Sequence, residues 1–340
     1  MSVWLFSVYA ASPAFLILSV LTAVENALVI TAIWKDPLRQ LKGTPANYLI
    51  LNLAISDLLI GIAALPLFCL LNWFPDETVL RAALSTGQLT LGVSHLTILS
   101  LAVERLMVIT YPLRSADFLA TSYLIPGIIM FIWFFAGVSA LVPIVRLHLF
   151  CIYLTYIVSM VFLTSVLILI LACYTRIYFK VRRILYRYIT TSEERQPDGQ
   201  GQIESARRIE KLKRKERSVA RTVFILTVIH LGCWIPAIVL RNLDTSCNRH
   251  KVQYLEKLFS LLHPLLNPLA YSLSTKKFQR ALWRIYQGLF YRGNNETLES
   301  TRISCRTLFS LIKTISWRIF PLIISLVYLF IICLQIQQLS

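Results

Sequence analysis

Seven mostly apolar stretches, at about 8–34, 46–72, 84–110, 121–145, 150–175, 219–241 and 253–274, limit this chain more than any other feature. Each is long enough to cross a hydrocarbon layer about 30 Å thick, which takes roughly 20 helical residues. Strands of an outer-membrane barrel would be about ten residues long and alternate in polarity. These runs do neither. Of 340 residues 56% are hydrophobic and 15% charged, too little polar sequence to cover a soluble surface. The expected fold is all-α: a seven-transmembrane helix bundle over 8–274.

Lys and Arg set the orientation, because cytoplasmic loops collect them. Residues 1–34 contain none, and no signal-peptide pattern precedes the first span. The connection 35–44 carries Lys35, Arg39 and Lys42. Residues 175–217 hold thirteen bases against six acids, and 275–318 nine against two. The alternate connections, 73–81 and 143–151, hold one base each. This predicts a short extracellular N-terminus (1–7), with the large loop and the tail inside the cell. Topology alone accounts for the net charge of +17. It calls for no nucleic acid, and membrane lipid or a cytosolic partner suits the same charge.

Beyond the bundle, 275–290 reads as an amphipathic eighth helix. Phe278, Leu282, Ile285 and Leu289 form one stripe with Lys and Arg opposite, as in a helix lying in the interface. A basic cytoplasmic tail (291–318) leads to a hydrophobic segment (319–340), whose uncharged stretch 319–334 suits either a further span or an interfacial helix. The polar stretch 190–208 is a flexible loop between the fifth and sixth spans, and 209–218 extends the sixth helix. Seven cysteines do not suggest a disulfide framework. Cys151 and Cys247 fall near the outer face, where they either pair or stay free. The sequon at Asn295 lies on the cytosolic side and is discounted.

Polar groups inside spans are costly and usually face the bundle interior. Asn26, Asp57, Ser94 and Asn267 all fall near the middle of their helices. They are either interhelical glue or, around the lone carboxylate, a hard-oxygen cation site. Pro268 should kink the seventh helix and free a backbone carbonyl one turn earlier, for polar neighbours to satisfy.

These residues, in order, resemble the rhodopsin-like (class A) G protein-coupled receptors. Asn26 matches the first-helix asparagine and "LAISDLL" the second-helix aspartate. "SLAVERLMVITYPL" is similar to the D/E-R-Y segment, Trp133 to the fourth-helix tryptophan and Tyr174 to the fifth-helix tyrosine. "CWIP" and "NPLAY" match the sixth- and seventh-helix signatures. The resemblance implies a plasma-membrane receptor that couples an extracellular ligand to a heterotrimeric G protein. It assigns an activation switch to Glu104, Arg105, Glu216, Tyr174, Trp234, Pro236, Asn267, Pro268 and Tyr271. It places an allosteric Na+ among Asp57, Ser94, Trp234, Asn267 and His263, with no other cofactor.

Departures narrow the ligand. Gly87 stands where amine receptors carry an aspartate, which argues against a biogenic amine. Leu261 replaces the lysine that opsins need for retinal. Leu80 occupies the place of the usual third-helix cysteine and Val166 that of a fifth-helix proline. These losses, with a short second outer loop, resemble melanocortin- and adenosine-type receptors. Gln88, Arg241, Lys257 and Ser260 lie near the outer ends of their helices as candidate ligand contacts. Their two cations either suit an anionic ligand or snorkel to the interface, and the second reading is favoured. His95 and His230 replace the usual Ile and Phe of the connector below the pocket. His230 shares a helix face with Trp234, so the two imidazoles are expected to meet, as a neutral hydrogen-bonded pair or as a proton switch.

No nucleophile–base constellation or H-E-x-x-H motif points to an enzyme. A transporter or channel would show repeat symmetry or a lined pathway, and neither is visible. A non-signalling protein that merely keeps the receptor fold is the remaining alternative.

Overall fold

The structure is a computed structural model that describes residues 12–38, 41, 44–111, 123–144, 161–162, 164–180, 182–183, 224–239, 257, 259–268, 270 and 276–290. Helical residues fall within each of the seven apolar runs. We label the helices α1 (Ser12–Lys35), α2 (Pro45–Trp73), α3 (Glu77–Thr110), α4 (Leu124–Ala140), α5 (164–180), α6 (Phe224–Val239), α7 (259–268) and α8 (Lys276–Phe290).

In α1, Phe15, Ser19, Thr22, Asn26, Val29 and Ile33 recur at three- and four-residue steps, and all are buried. Leu16, Ile17, Val20, Leu21, Val24 and Leu28 lie on the other side and are exposed. A soluble helix would turn its apolar stripe inward and its polar one out. Here polar groups lie inside and large aliphatic ones outside, as lipid contact requires. On α4, Met130 and Phe134 are each 72% exposed. α3 is the central strut, and at 34 residues it is about 50 Å long. Ala83, Gly87, Thr90, Ser94, Leu101 and Arg105 bury one face of it from end to end.

The helix ends follow local chemistry. Asp76 caps α3, accepting from the backbone N–H of Thr78 at 2.8 Å and Val79 at 3.3 Å. The Thr78 side chain and these N–H groups hold the Asp76 carboxyl below the usual carboxylate range. After α1, Asp36 takes a left-handed backbone (φ 36°), and both its carboxylate oxygens accept from Leu41 N–H at 3.1 Å. That closes the turn after α1 and buries Leu41.

α2 contains one π-helical turn, Ile60–Ala64. Pro66 follows it and has no N–H to offer the Ile62 carbonyl, a usual cause of such a bulge. Beside the turn, α1 and α2 meet backbone to backbone: a Cβ on Gly61 would stand 2.8 Å from Ala23 N and 3.0 Å from Ser19 O. Ser19 Oγ donates to the Gly61 carbonyl at 2.6 Å. Gly61→Ala should therefore lower the thermal unfolding midpoint of the solubilised protein, at a cost of about 1–3 kcal/mol for overpacking. Gly137→Ala is the control, since a Cβ there meets nothing within 4 Å. Equal midpoints for the two variants would refute the close contact.

α8 buries Phe278, Ala281 and Ile285, which join the main apolar cluster. Residues 1–7, 291–318 and 319–340 lie outside the described residues.

Candidate functional site: a polar line through the bundle

Three side chains from three helices meet at a carboxylate hub. Asp57 on α2 accepts from Ser94 Oγ of α3 at 2.9 Å through one oxygen. Its other oxygen accepts from Asn267 Nδ2 of α7 at 2.7 Å. Ser56 Oγ lies 2.6 Å from Ser94 Oγ and donates to the Thr90 carbonyl at 3.2 Å. Asp57, Ser94 and Asn267 are each 0% exposed. Each carboxylate oxygen keeps further lone-pair capacity, and Asn267 Oδ1 is buried without a protein partner. Carboxylate, hydroxyl and amide oxygens are the donor set that a hard cation takes, so these residues fit a sodium ion.

The proline-freed carbonyls have their partners. Pro268 cannot donate to the Pro264 carbonyl, and Asn26 Nδ2 of α1 donates to it instead at 3.1 Å. Pro264 in turn cannot donate to the Ser260 carbonyl, which lies 2.8 Å from His263 Nδ1. One amide and one imidazole thus complete the backbone of α7.

Trp234 and His263 lie in a second cluster, with His95 and His230. The His95 ring centroid stands 4.5 Å from that of Trp234 and 4.7 Å from that of His230. His263 is 5.5 Å from His230 and 5.9 Å from Trp234. Trp234 Nε1 can only donate, so it is no cation ligand. His95 and His230 do meet as expected, but edge to face rather than through a hydrogen bond. His95 Nδ1 bonds to the Leu91 carbonyl, and neither nitrogen of His230 has a hydrogen-bond partner among the described residues. The helical rotation of α7, which brings in a third imidazole, could not be read from either sequence segment.

At the other end of α3, Glu104 and Arg105 form an ion pair: Nη2 donates to Oε1 at 2.8 Å, and Nε lies 2.5 Å from Oε2 without the alignment of a second hydrogen bond. Both are buried. The pair lies within one helix, so by itself it joins no two helices; it folds the guanidinium back onto α3. Tyr174 packs its ring edge to face on Phe224 at 5.9 Å. Pro236 lies within α6. Glu216 and Tyr271, the remaining switch candidates, lie outside the described residues, as do Arg241, Cys151 and Cys247.

Toward the opposite end of the bundle from Arg105, Lys257 Nζ sits 5.4 Å from the centre of the Phe68 ring on α2, a cation–π distance. Gln88 Oε1 is buried without a protein partner, and Ser260 is buried on α7. Gly87 faces the same Phe68 ring.

Several groups were passed over in the sequence. Asn52 receives a hydrogen bond from Trp133 Nε1 and donates one to Thr97 Oγ1, each at 2.8 Å, tying α2, α3 and α4 together. Glu25 places a carboxylate oxygen of α1 in the interior with no hydrogen-bond partner. Both were open to the rule that polar residues inside spans face the bundle.

Comparison with known proteins agrees with this arrangement. Residues 25–271 match the family model "7 transmembrane receptor (rhodopsin family)". Sphingosine 1-phosphate receptor 3 of Takifugu rubripes is 26% identical, over 84% of this chain and 73% of the relative. Sphingosine 1-phosphate receptor 2 of Rattus norvegicus is 28% identical, over 81% and 76%. Melanopsin of Branchiostoma belcheri is 23% identical, over 76% of this chain and 39% of its own. The chain therefore belongs to the rhodopsin family of seven-transmembrane receptors, as a multi-pass plasma-membrane protein that carries an extracellular signal to a heterotrimeric G protein.

Proposed function

We propose that this receptor stands with its N-terminus outside, answers an anionic amphiphile, and switches through the polar line along α3. One observation carries the reading. Gln88, Ser94 and the Glu104–Arg105 pair punctuate a single helix at its outer, middle and inner levels, about 9 and 16 Å apart by helical rise. A change at the outer level reaches the inner one through side chains packed on the same strut. The Asp57 hub is the seat of an allosteric sodium ion, and the Glu104–Arg105 pair keeps Arg105 from the G protein at rest. α8 lies along the inner membrane surface.

The ligand class rests on two supports. Lys257 supplies a cation beside an aromatic wall, the combination that holds an anionic head above an apolar tail. The relatives named as sphingosine 1-phosphate receptors carry a phosphorylated amphiphile in their names. Sphingosine 1-phosphate is therefore the first probe, and sphingosine, which lacks the phosphate, its control. A G protein activation assay should respond to the phosphate alone. Lys257→Ala should weaken potency by about 10–100-fold, the value of a charge-assisted contact, and Lys257→Arg by much less. Equal potency of the two lipids, or a silent Lys257→Ala at matched surface expression, would remove the anionic-ligand reading. Failure of every variant, including the parent, to raise basal or stimulated G protein activity would favour a fold kept without signalling.

A further inference from the structure

Three helices each place one histidine at the same level of the bundle: His95 from α3, His230 from α6 and His263 from α7. His95 is 4% exposed and the other two 0%. Imidazoles in a dry core need partners for their nitrogens, and among the described residues only two of these six nitrogens have one. The Nδ1 atoms of His95 and His263 bond to the carbonyls of Leu91 and Ser260. A carbonyl only accepts, so each Nδ1 carries the hydrogen, and in the neutral ring each Nε2 is a bare lone pair. Both Nε2 atoms, and both nitrogens of His230, are buried with no partner among the described residues.

We infer that His95, His230 and His263 form a binding site for a divalent transition-metal ion of the zinc class. The chemistry of the donors supports it. Imidazole nitrogens suit zinc, copper or nickel, whereas the neighbouring Asp57 hub offers hard oxygens. A ligating histidine typically gives its other N–H to a backbone carbonyl, which sets the tautomer and the ring direction. His95 and His263 already do so. The spacing is close to what such an ion needs. With metal–nitrogen bonds of about 2.0–2.1 Å, three imidazoles at tetrahedral angles have ring centres roughly 5.2 Å apart. The three separations here are 4.7, 5.5 and 6.2 Å.

The rings are not yet closed as a cage: among the described residues no three His, Cys, Asp or Glu side chains stand ready to hold a metal. Closure takes an approach of His263 to His95, now 6.2 Å apart, and a turn of His230, whose ring has no hydrogen bond to break among the described residues. A bound ion would then join α3, α6 and α7 at one point and restrain α6, while water completes the fourth position.

The experiment uses the purified full-length receptor and ZnCl2. The chain has five histidines, and His148 and His250 lie outside the cluster. A His148→Gln/His250→Gln variant removes them as competing ligands. It should bind one zinc per receptor, saturably, with a rise in unfolding midpoint that grows with zinc concentration. X-ray absorption of the loaded protein should count three imidazoles. His230→Phe and His263→Asn should each lose the saturable zinc and the stabilisation. Absence of saturable binding in the double variant overturns the proposal, as does binding retained in both His230→Phe and His263→Asn. Should those two fail to fold, the imidazole count decides alone: fewer than three overturns the site.

Discussion

Glu104→Gln should raise ligand-independent G protein activation about tenfold or more, and Arg105→Ala should nearly silence the receptor at equal surface expression. The opposite signs follow from one geometry. Glu104 and Arg105 are joined by two short contacts, and both are buried. Taking away one partner of such a pair typically costs about 3–5 kcal/mol, because the other charge is left buried and uncompensated. That cost falls on the resting arrangement, in which the guanidinium is folded back onto α3. A two-state equilibrium shifts about tenfold for every 1.4 kcal/mol, so a third of the cost is enough. Arg105→Ala removes the group itself, and with it the contact that the family resemblance assigns to the active state. Glu216→Ala should act in the direction of Glu104→Gln if that carboxylate tethers α6. Basal and stimulated signalling unchanged in both Glu104→Gln and Arg105→Ala would show that the pair is only packing.

The second large effect is expected at Asp57→Asn, which should abolish any dependence of agonist affinity on sodium. Allosteric coupling is typically 1–3 kcal/mol, or about 5–150-fold in affinity. The parent should lose agonist affinity within that range as NaCl replaces N-methylglucamine chloride, and the variant should stay flat. The substitution is informative because it spares the fold. Ser94 can still donate to the amide oxygen. Asn267 now meets an N–H2 group, but its own Oδ1 is partnerless, so turning its amide restores the bond. Charge is the one thing lost. A parent whose agonist affinity ignores sodium would reduce the hub to structural glue.

How much of this was legible in the sequence depended on whether a feature is local to one helix. The spans, the amide beside Pro268 and the lone carboxylate of α2 are each visible in a short stretch. Their physics follows from cost: an amide or carboxylate in lipid must turn inward. The need for a donor to a proline-freed carbonyl could likewise be foreseen, though not that Asn26 supplies it. What escaped depends on the rotation of one helix against another. The resemblance groups His263 with the sodium ligands, yet it packs among rings from α3 and α6. Glu104 beside Arg105 is legible as a neighbour in the sequence, whereas Glu216, the carboxylate that would tie Arg105 to the sixth helix, lies outside the described residues. Glu25 was legible by the rule that found Asp57, but the neighbouring Asn26 drew the attention.

The π-helical turn at Ile60–Ala64 bears on how this receptor is aligned with others. Such a turn holds one more residue than the α-helical turn it replaces, and each residue rotates the chain by about 100°. Against a relative whose second helix is regular, Leu65–Trp73 is therefore out of phase: equal positions in an alignment point in different directions. Phe68, the ring under Lys257, lies beyond this slip. Ligand contacts copied by position from such a relative into the outer third of α2 would name the wrong face, and a one-residue gap placed within 60–64 restores the phase.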